Sequence, residues 1–290
     1  MRQIFFTKIK VHCWGGLGSQ LFAWAMAEQI KIKFPLKEIQ IVLHTNGVTK
    51  RDPEISFLSE RFVLIYKNDY VPLRNRSEKR YTKKIKFKSF VKYLLNKTCI
   101  VISSGGSNSL VKVKPWTLEL RDHYAHNTVP ISIVNLIMKQ ISEYKLVYFD
   151  MYKNSQKCLG VHYRLGDLLH LSEKSFVQPD LLGKFLSAQI IHHNIRKISV
   201  YSDDLKVAQK YLGPYLLESN EFIERDIWNT LAELSNQNFF IGTNSKISLW
   251  VTLFRKSKNL SSYVALPKSM EKELERILFD TCNLEDINFY

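Results

Sequence analysis

No apolar run in this chain approaches the roughly 18 residues of a membrane span; the longest near its start, Leu21 to Ala27, meets Glu28 at once. The first ten residues carry Arg2, Lys8 and Lys10 with no clean hydrophobic region or small-residue cleavage site, so no secretory leader is expected and the cytoplasm is the expected compartment. Cysteine is scarce: Cys13, Cys99, Cys158 and Cys282 lie far apart and form no CxxC pair. That spacing argues against a structural zinc site and against a disulfide framework, and it suits reduced, mostly buried thiols. Acidic residues are outnumbered, 27 against 42 Lys plus Arg, for a net charge of +15. There is no internal repeat, no low-complexity linker and no GxGxxG fingerprint.

What the chain does have is an ordinary globular composition, 45% apolar and 24% charged over 290 residues, which excludes the disordered class. Short β-branched runs alternate with helical stretches, the mark of an α/β fold with parallel sheets. Lys8 to Trp14 reads as a strand, Gly15 to Gly18 as a tight loop, and Gln20 to Lys33 as a helix with Leu21, Trp24, Ala25 and Glu28 at helical spacing. Ile39 to His44, Arg61 to Tyr66 and Thr98 to Ser103 are further strand candidates, Phe90 to Leu95 and Ile131 to Glu143 helices. A second series follows. Lys157 to Tyr163, Arg196 to Tyr201 and Phe239 to Gly242 read as strands; Asp226 to Ser235, Ile247 to Arg255 and Met270 to Leu278 read as helices. Two series of similar size predict two Rossmann-like domains, residues 1–150 and 151–290.

Three polar clusters sit at the predicted carboxyl ends of strands in the second half, the edge where open α/β sheets bind ligands. They are His162-Tyr163-Arg164-Leu165-Gly166-Asp167, Tyr201-Ser202-Asp203-Asp204, and Gly242-Thr243-Asn244-Ser245-Lys246-Ile247-Ser248. Arg164 offers a planar, permanently charged fork that suits a diphosphate. Ser245 and Ser248 lie at a predicted helix start, where unpaired N–H groups and the dipole favour phosphate. Asp203 or Asp204 can accept hydrogen bonds from the N1–H and the amine of guanine. Each cluster also has a plainer account. Ser202 and Asp203 can cap the following helix, Asn244 or Ser245 can be a bare N-cap, Arg164 can pair with a structural carboxylate, and His162 can be a hydrogen-bonded core histidine.

Gly15-Gly16-Leu17-Gly18-Ser19-Gln20-Leu21-Phe22-Ala23-Trp24-Ala25, His162 to Asp167, Tyr201 to Asp204 and Asn244 to Trp250 resemble, in order, the GGLGNQLFQYA, HxRRGD, (F/Y)SDD and NSxFSWW elements of glycosyltransferase family 11, the α-1,2-fucosyltransferases. Ser19 stands for the family asparagine, Leu165 for its second arginine, and Lys246, Ile247 and Leu249 alter the last element. The resemblance implies a GT-B fold, two facing Rossmann-like domains around the active-site cleft. It implies an inverting, metal-independent transfer of L-fucose from GDP-β-L-fucose to a glycan hydroxyl, by default O2 of a terminal galactose, in O-antigen or other surface-polysaccharide synthesis. The altered motif edges leave GDP-colitose or another GDP-6-deoxysugar as the alternative donor. The expected catalytic set is Arg164, on the β-phosphate, with His162 and Asp167 as candidate bases. The expected donor set is Gly16, Gly18, Arg164, Asp203, Asp204, Asn244, Ser245 and Ser248. No cofactor and no metal are expected.

Readings of another class are a nucleic-acid-binding or a non-catalytic glycan-binding protein. No RRM, KH or helix-turn-helix pattern is visible, and the retained Arg164 argues against a silent lectin. Between Lys67 and Lys97 lie eleven basic residues and two acidic ones, Asp69 and Glu78, interleaved with Tyr70, Tyr81, Phe87, Phe90 and Tyr93. That stretch is expected to hold the enzyme to an anionic membrane surface, on the inner face, near a lipid-linked acceptor.

Overall fold

The computed structural model describes residues 7–46, 52–68, 94, 97–102, 109–122, 124–149, 157–170, 176–216, 220–259, 261–279 and 282–290, without the side chains of Ser109, Asp167 and His170. The expected helix Phe90–Leu95, apart from Leu94, and nearly all of the basic stretch lie outside these residues. The contacts divide the chain into Met1–Thr128 and Val129–Tyr290.

The first unit contains β1 (Lys8–Trp14), α1 (Leu17–Lys33), β2 (Glu38–His44), β3 (Val63–Lys67), β4 (Val101–Ile102), the single turn α2 (Ser109–Lys112) and β5 (Glu119–Arg121). Its sheet runs β3-β2-β1-β5-β4, and every pairing is parallel. The period-two pattern of β1 sorts its residues. Ile9, Val11 and Cys13 are buried in the core, while Lys8, Lys10, His12 and Trp14 occupy the alternate positions. Helix α1 is buried around nearly its whole circumference from Leu17 to Ile30. Its buried Glu28 is held by Trp24 Nε1 at 3.1 Å and by the Arg61 guanidinium, Nη2 to Oε2 at 2.7 Å, so the charge is not left unpaired. The helix begins at Leu17, three residues before the expected start, so Gly18 sits in its first turn rather than in the loop.

The second unit begins with α3 (Ile131–Lys145). It continues with β6 (Cys158–Tyr163), α4 (Pro179–His193), β7 (Lys197–Ser202), α5 (Leu205–Leu212), β8 (Asn220–Ile223), α6 (Ile227–Asn236), β9 (Phe239–Gly242), α7 (Lys246–Lys258), β10 (Tyr263–Leu266), α8 (Glu271–Ile277) and β11 (Asn288–Phe289). Its parallel sheet has the order β11-β10-β9-β6-β7-β8. Every residue of the central strand β6 is buried, as a strand covered on both faces requires. Leu182, Leu186 and Ile190 of α4 and Ala208 and Leu212 of α5 close one face over Leu159, Val161, Ile198 and Val200. Helices α6 and α7 pack on each other. Helix α3 packs on α7, so the contacts divide the chain before this helix, where the alternating pattern divides it after. None of the four cysteines is disulfide-bonded. Among the described residues no helix is long and apolar enough to cross a membrane.

The carboxyl end of α7 carries its own anchor. Arg255, 2% exposed, donates from Nη1 to the carbonyls of Leu234 (3.1 Å) and Gln237 (2.5 Å). Its Nη2 donates to those of Asn238 (3.0 Å) and Tyr263 (3.2 Å). One guanidinium thereby serves the end of α6 and the entries to β9 and β10. Lys256 and Lys258 do the same for the carbonyls of Ser262, Asp286, Phe149 and Ser235.

Candidate functional site

Strands β9, β6 and β7 are neighbours, and their registers pair His162 with Gly242 and Tyr163 with Ser202. Their three following loops therefore leave the sheet side by side at its carboxyl edge. Side chains then join them. The buried Thr243 hydroxyl donates to the His162 carbonyl at 3.0 Å and accepts from the Arg164 N–H at 2.9 Å. Ser248 Oγ lies 2.9 Å from His162 Nδ1 and accepts from the Thr243 N–H at 3.2 Å. On the other flank, Asp203 Oδ1 accepts from the Leu165 N–H at 2.8 Å, and Oδ2 pairs with Arg164 Nη1 at 2.6 Å. All three clusters read from the sequence thus meet around one backbone turn, the one that presents Arg164.

That turn has a steric reason for its glycine. Gly166 has φ +23°, and a Cβ on it would lie 2.8 Å from Asp203 Cγ and closer still to Oδ2. Only glycine lets the carboxylate lie against the backbone. The pair itself is partly open, with the side chains 26% and 30% exposed, so the guanidinium is oriented by Asp203 and still reachable from solvent.

The remaining expected residues fall into distinct places. Asp204 is the N-cap of α5, its Oδ1 accepting from Val207 N–H at 3.1 Å. Ser245 is the N-cap of α7, its hydroxyl accepting from Ile247 N–H at 3.2 Å. Asn244 Oδ1 accepts from Ser269 Oγ at 2.7 Å at the exposed rim. Ser248 points inward, fully buried, to His162 instead of outward to an anion. The Asp167 side chain lies outside the described residues. Gly16 precedes α1 in the first unit, its carbonyl accepting from Ser19 and Gln20 N–H at 2.9 and 3.2 Å. Gly15 before it has φ +103°, the left-handed region that favours glycine. The loop is tied by Gln20, whose amide donates to the carbonyls of Gly15 (3.3 Å) and Asp52 (2.8 Å) and accepts from Ile55 N–H (3.3 Å).

Burial, reinforced by the Arg164 charge, lowers the His162 pKa to about 3. The imidazole is neutral at physiological pH and tied to Ser248, so its part in this geometry is to hold α7 against β6. A base with so low a pKa accepts protons poorly near neutrality. A histidine whose folded pKa lies below its unfolded value binds its proton more readily when the chain is unfolded. Its contribution is therefore complete above about pH 6.5 and is lost as pH falls toward the folded value. Lowering pH from 7.5 to 5 is expected to cost the second unit about 2 kcal/mol through His162 alone. Urea unfolding of the wild type and of His162→Asn across this range checks it; equal pH slopes in both refute the assignment.

The structure also shows a cluster that the sequence reading passed over, at the carboxyl ends of β1, β2 and β5. His12 Nδ1 lies 3.0 Å from His44 Nε2, and His12 Nε2 lies 3.7 Å from Glu119 Oε2. Trp14 stacks on His44 with centroids 4.6 Å apart, and Arg121 pairs with Glu119 at 2.6 Å. Burial lowers the His12 pKa to about 4, against the opposing pull of Glu119. His12 Nε2 and Trp14 Nε1 are buried without a hydrogen-bond partner among the described residues. The signal was present in β1: Lys8, Lys10, His12 and Trp14 at period two give this sheet a second face that is polar and aromatic, unlike an ordinary core face.

No family model matches the chain, and no curated protein does. Solved structures do match. POFUT1 in complex with GDP-fucose is 12% identical, covering 90% of this chain and 98% of that one, with a TM-score of 0.38. The glycosyl transferase family 9 protein from Veillonella parvula DSM 2008 is 9% identical over 91% of this chain and 81% of that one, TM-score 0.42. The E. coli heptosyltransferase WaaC with ADP is 7% identical over 97% and 92%, TM-score 0.45.

Proposed function

We propose that the chain is an inverting GDP-sugar glycosyltransferase that moves L-fucose, or a related 6-deoxy sugar, from its GDP-β-linked donor to a glycan hydroxyl, with O2 of a terminal galactose as the default acceptor. The observation that carries this reading is the convergence of three strand-end loops on Arg164, oriented by Asp203 from β7 and by Thr243 from β9. A fixed, partly exposed guanidinium beside a helix start suits a diphosphate. Arg164 and the first turn of α7 supply that pair on adjoining loops.

In this reading Arg164 takes the β-phosphate with one part of its fork while Asp203 keeps hold of the other. As the C1–O bond breaks, its electron pair departs with GDP, whose growing charge Arg164 stabilises. The acceptor oxygen bonds to C1 from the opposite face, which inverts it, and loses its proton to a base or to solvent. Asp167 remains the candidate base. Both Asp203 oxygens are already engaged in the loop, so guanine recognition falls to Asp204, fixed in place by capping α5. The three loops act without a metal in this scheme.

The test is GDP release from GDP-fucose, GDP-colitose and GDP-mannose, each with a panel of β-galactosides. Acceptor-dependent release from one 6-deoxy donor is the expected result. Release from none of them, with any acceptor, ends the proposal.

A further inference from the structure

The amino edge of the first sheet, opposite the glycine turn, carries a patch that neither the donor loops nor the His12 cluster uses. Three segments without a single acidic residue come together there: 31–37, ending α1; 110–118, entering β5; and 97–98, ahead of β4. Lys33 Nζ donates to the carbonyls of Leu110 and Val113, each at 3.1 Å, and Lys37 Nζ to that of Pro115. Trp116 Nε1 donates to the Thr98 carbonyl at 2.8 Å.

On this framework stand Leu36, 98% exposed, Ile32 at 69%, Val111 at 67% and Trp116 at 46%. Lys97, Lys112 and Lys114 are exposed beside them. Branched aliphatic side chains this open lose free energy to water and rarely cluster without an occupant. Lys114 is close enough to Lys33 to help lower its pKa, with burial the larger cause. The patch thus gathers six lysines within segments 31–37, 97–98 and 110–118, a charge complementary to an anionic surface.

We propose that this edge is a membrane-docking face for anionic lipid headgroups, with Leu36, Ile32, Val111 and Trp116 entering the interfacial layer and the lysines meeting the headgroups. A tryptophan ring with one polar tip, aliphatics that a phosphate backbone cannot use, and lysines whose stems lie along apolar surface are the chemistry of a lipid interface. Nucleic acid rewards the lysines and leaves Leu36 exposed; a lipid surface rewards both. The docking does not depend on which sugar, if any, the second unit transfers.

The experiment is co-sedimentation of the full chain with vesicles of phosphatidylcholine, with and without phosphatidylglycerol, at low and high salt. The variants are Leu36→Asp and the pair Lys112→Glu/Lys114→Glu, all at exposed positions. Thermal unfolding confirms that each is folded, and GDP release on a soluble acceptor is expected to be unchanged, so that the docking stands or falls apart from the transfer. The wild type is expected to bind the phosphatidylglycerol vesicles in a salt-sensitive way, with each variant weakened about tenfold or more. Wild-type binding no better than to phosphatidylcholine overturns the proposal. Wild-type binding retained in both variants also overturns it and moves the attachment to the basic stretch 67–97. A dimer that Leu36→Asp dissolves, with vesicle binding unaltered, replaces the lipid by a second copy of the chain.

Discussion

Arg164→Ala is expected to lower turnover of the GDP-sugar by about 10²–10³-fold, as removal of one preorganised charge at a developing oxyanion does elsewhere. The loss should appear mainly in kcat, because in the proposed reaction Arg164 meets a phosphate charge that grows as C1–O breaks. Arg164→Lys should recover little of it, since an ammonium cannot span a phosphate oxygen and the Asp203 carboxylate with one planar fork. Stability should scarcely change. The Arg164–Asp203 pair is about a quarter exposed on each side, and solvent screening holds such pairs to about 1 kcal/mol or less. Asp203→Asn is informative in the other direction. It keeps an acceptor for the Leu165 N–H and removes the charge that orients the guanidinium, so an intermediate loss is expected. Steady-state kinetics of the three variants, with unfolding curves alongside, make the check. Near-normal turnover in Arg164→Ala refutes its role at the diphosphate.

Arg255→Met should destabilise the second unit by about 3–5 kcal/mol, with little change in the chemistry of whatever protein remains folded. A buried charge is ordinarily a poor source of stability, and here it is not paired with a carboxylate but with four carbonyls. Burial lowers its pKa to about 10, still well above neutrality, so the guanidinium remains charged. Methionine fills much of the stem's volume but supplies no donor. The carbonyls of Leu234, Gln237, Asn238 and Tyr263 then lose their bonds inside the protein, each unsatisfied group costing about 1–3 kcal/mol before relaxation. Against a total stability of about 5–15 kcal/mol, that is a large share. Equilibrium unfolding in urea measures it, and a change under about 1 kcal/mol contradicts the account of this anchor.

The first strand and helix, the three strand ends of the second unit and the order of the four motifs were legible because each depends on local pattern. β-branched runs, turn residues and helical spacing act within a few residues, so Lys8–Trp14, Phe239–Gly242 and the start of α7 could be placed without knowing their neighbours. Asp203 was harder. In sequence it is one of two adjacent aspartates after a strand, equally suited to capping and to reading a base. Its use on Leu165 and Arg164 exists only because β6 and β7 are paired. Ser248 misled for a related reason: it sits in the first turn of a helix, where hydroxyls often face anions, but the turn's inward side meets His162. Arg255, Lys256 and Lys258 read as ordinary cations at a helix end, and nothing in their spacing shows that carbonyls from several elements converge on them.

By itself the sequence determined the fold class, the parallel α/β alternation and the three polar clusters at strand ends, because periodicity and residue chemistry are properties of short segments. The tertiary structure alone decided which of those residues hold the Arg164 turn and which are caps, since Thr243, Ser248 and Asp203 acquire their partners 79, 86 and 38 residues away. Likewise, only the packing of α1's end against the 110–118 segment brought the lysines and exposed aliphatics of these two segments to one edge of the sheet. Long-range juxtaposition is fixed by how the elements bury their apolar sides, and no local pattern carries that information.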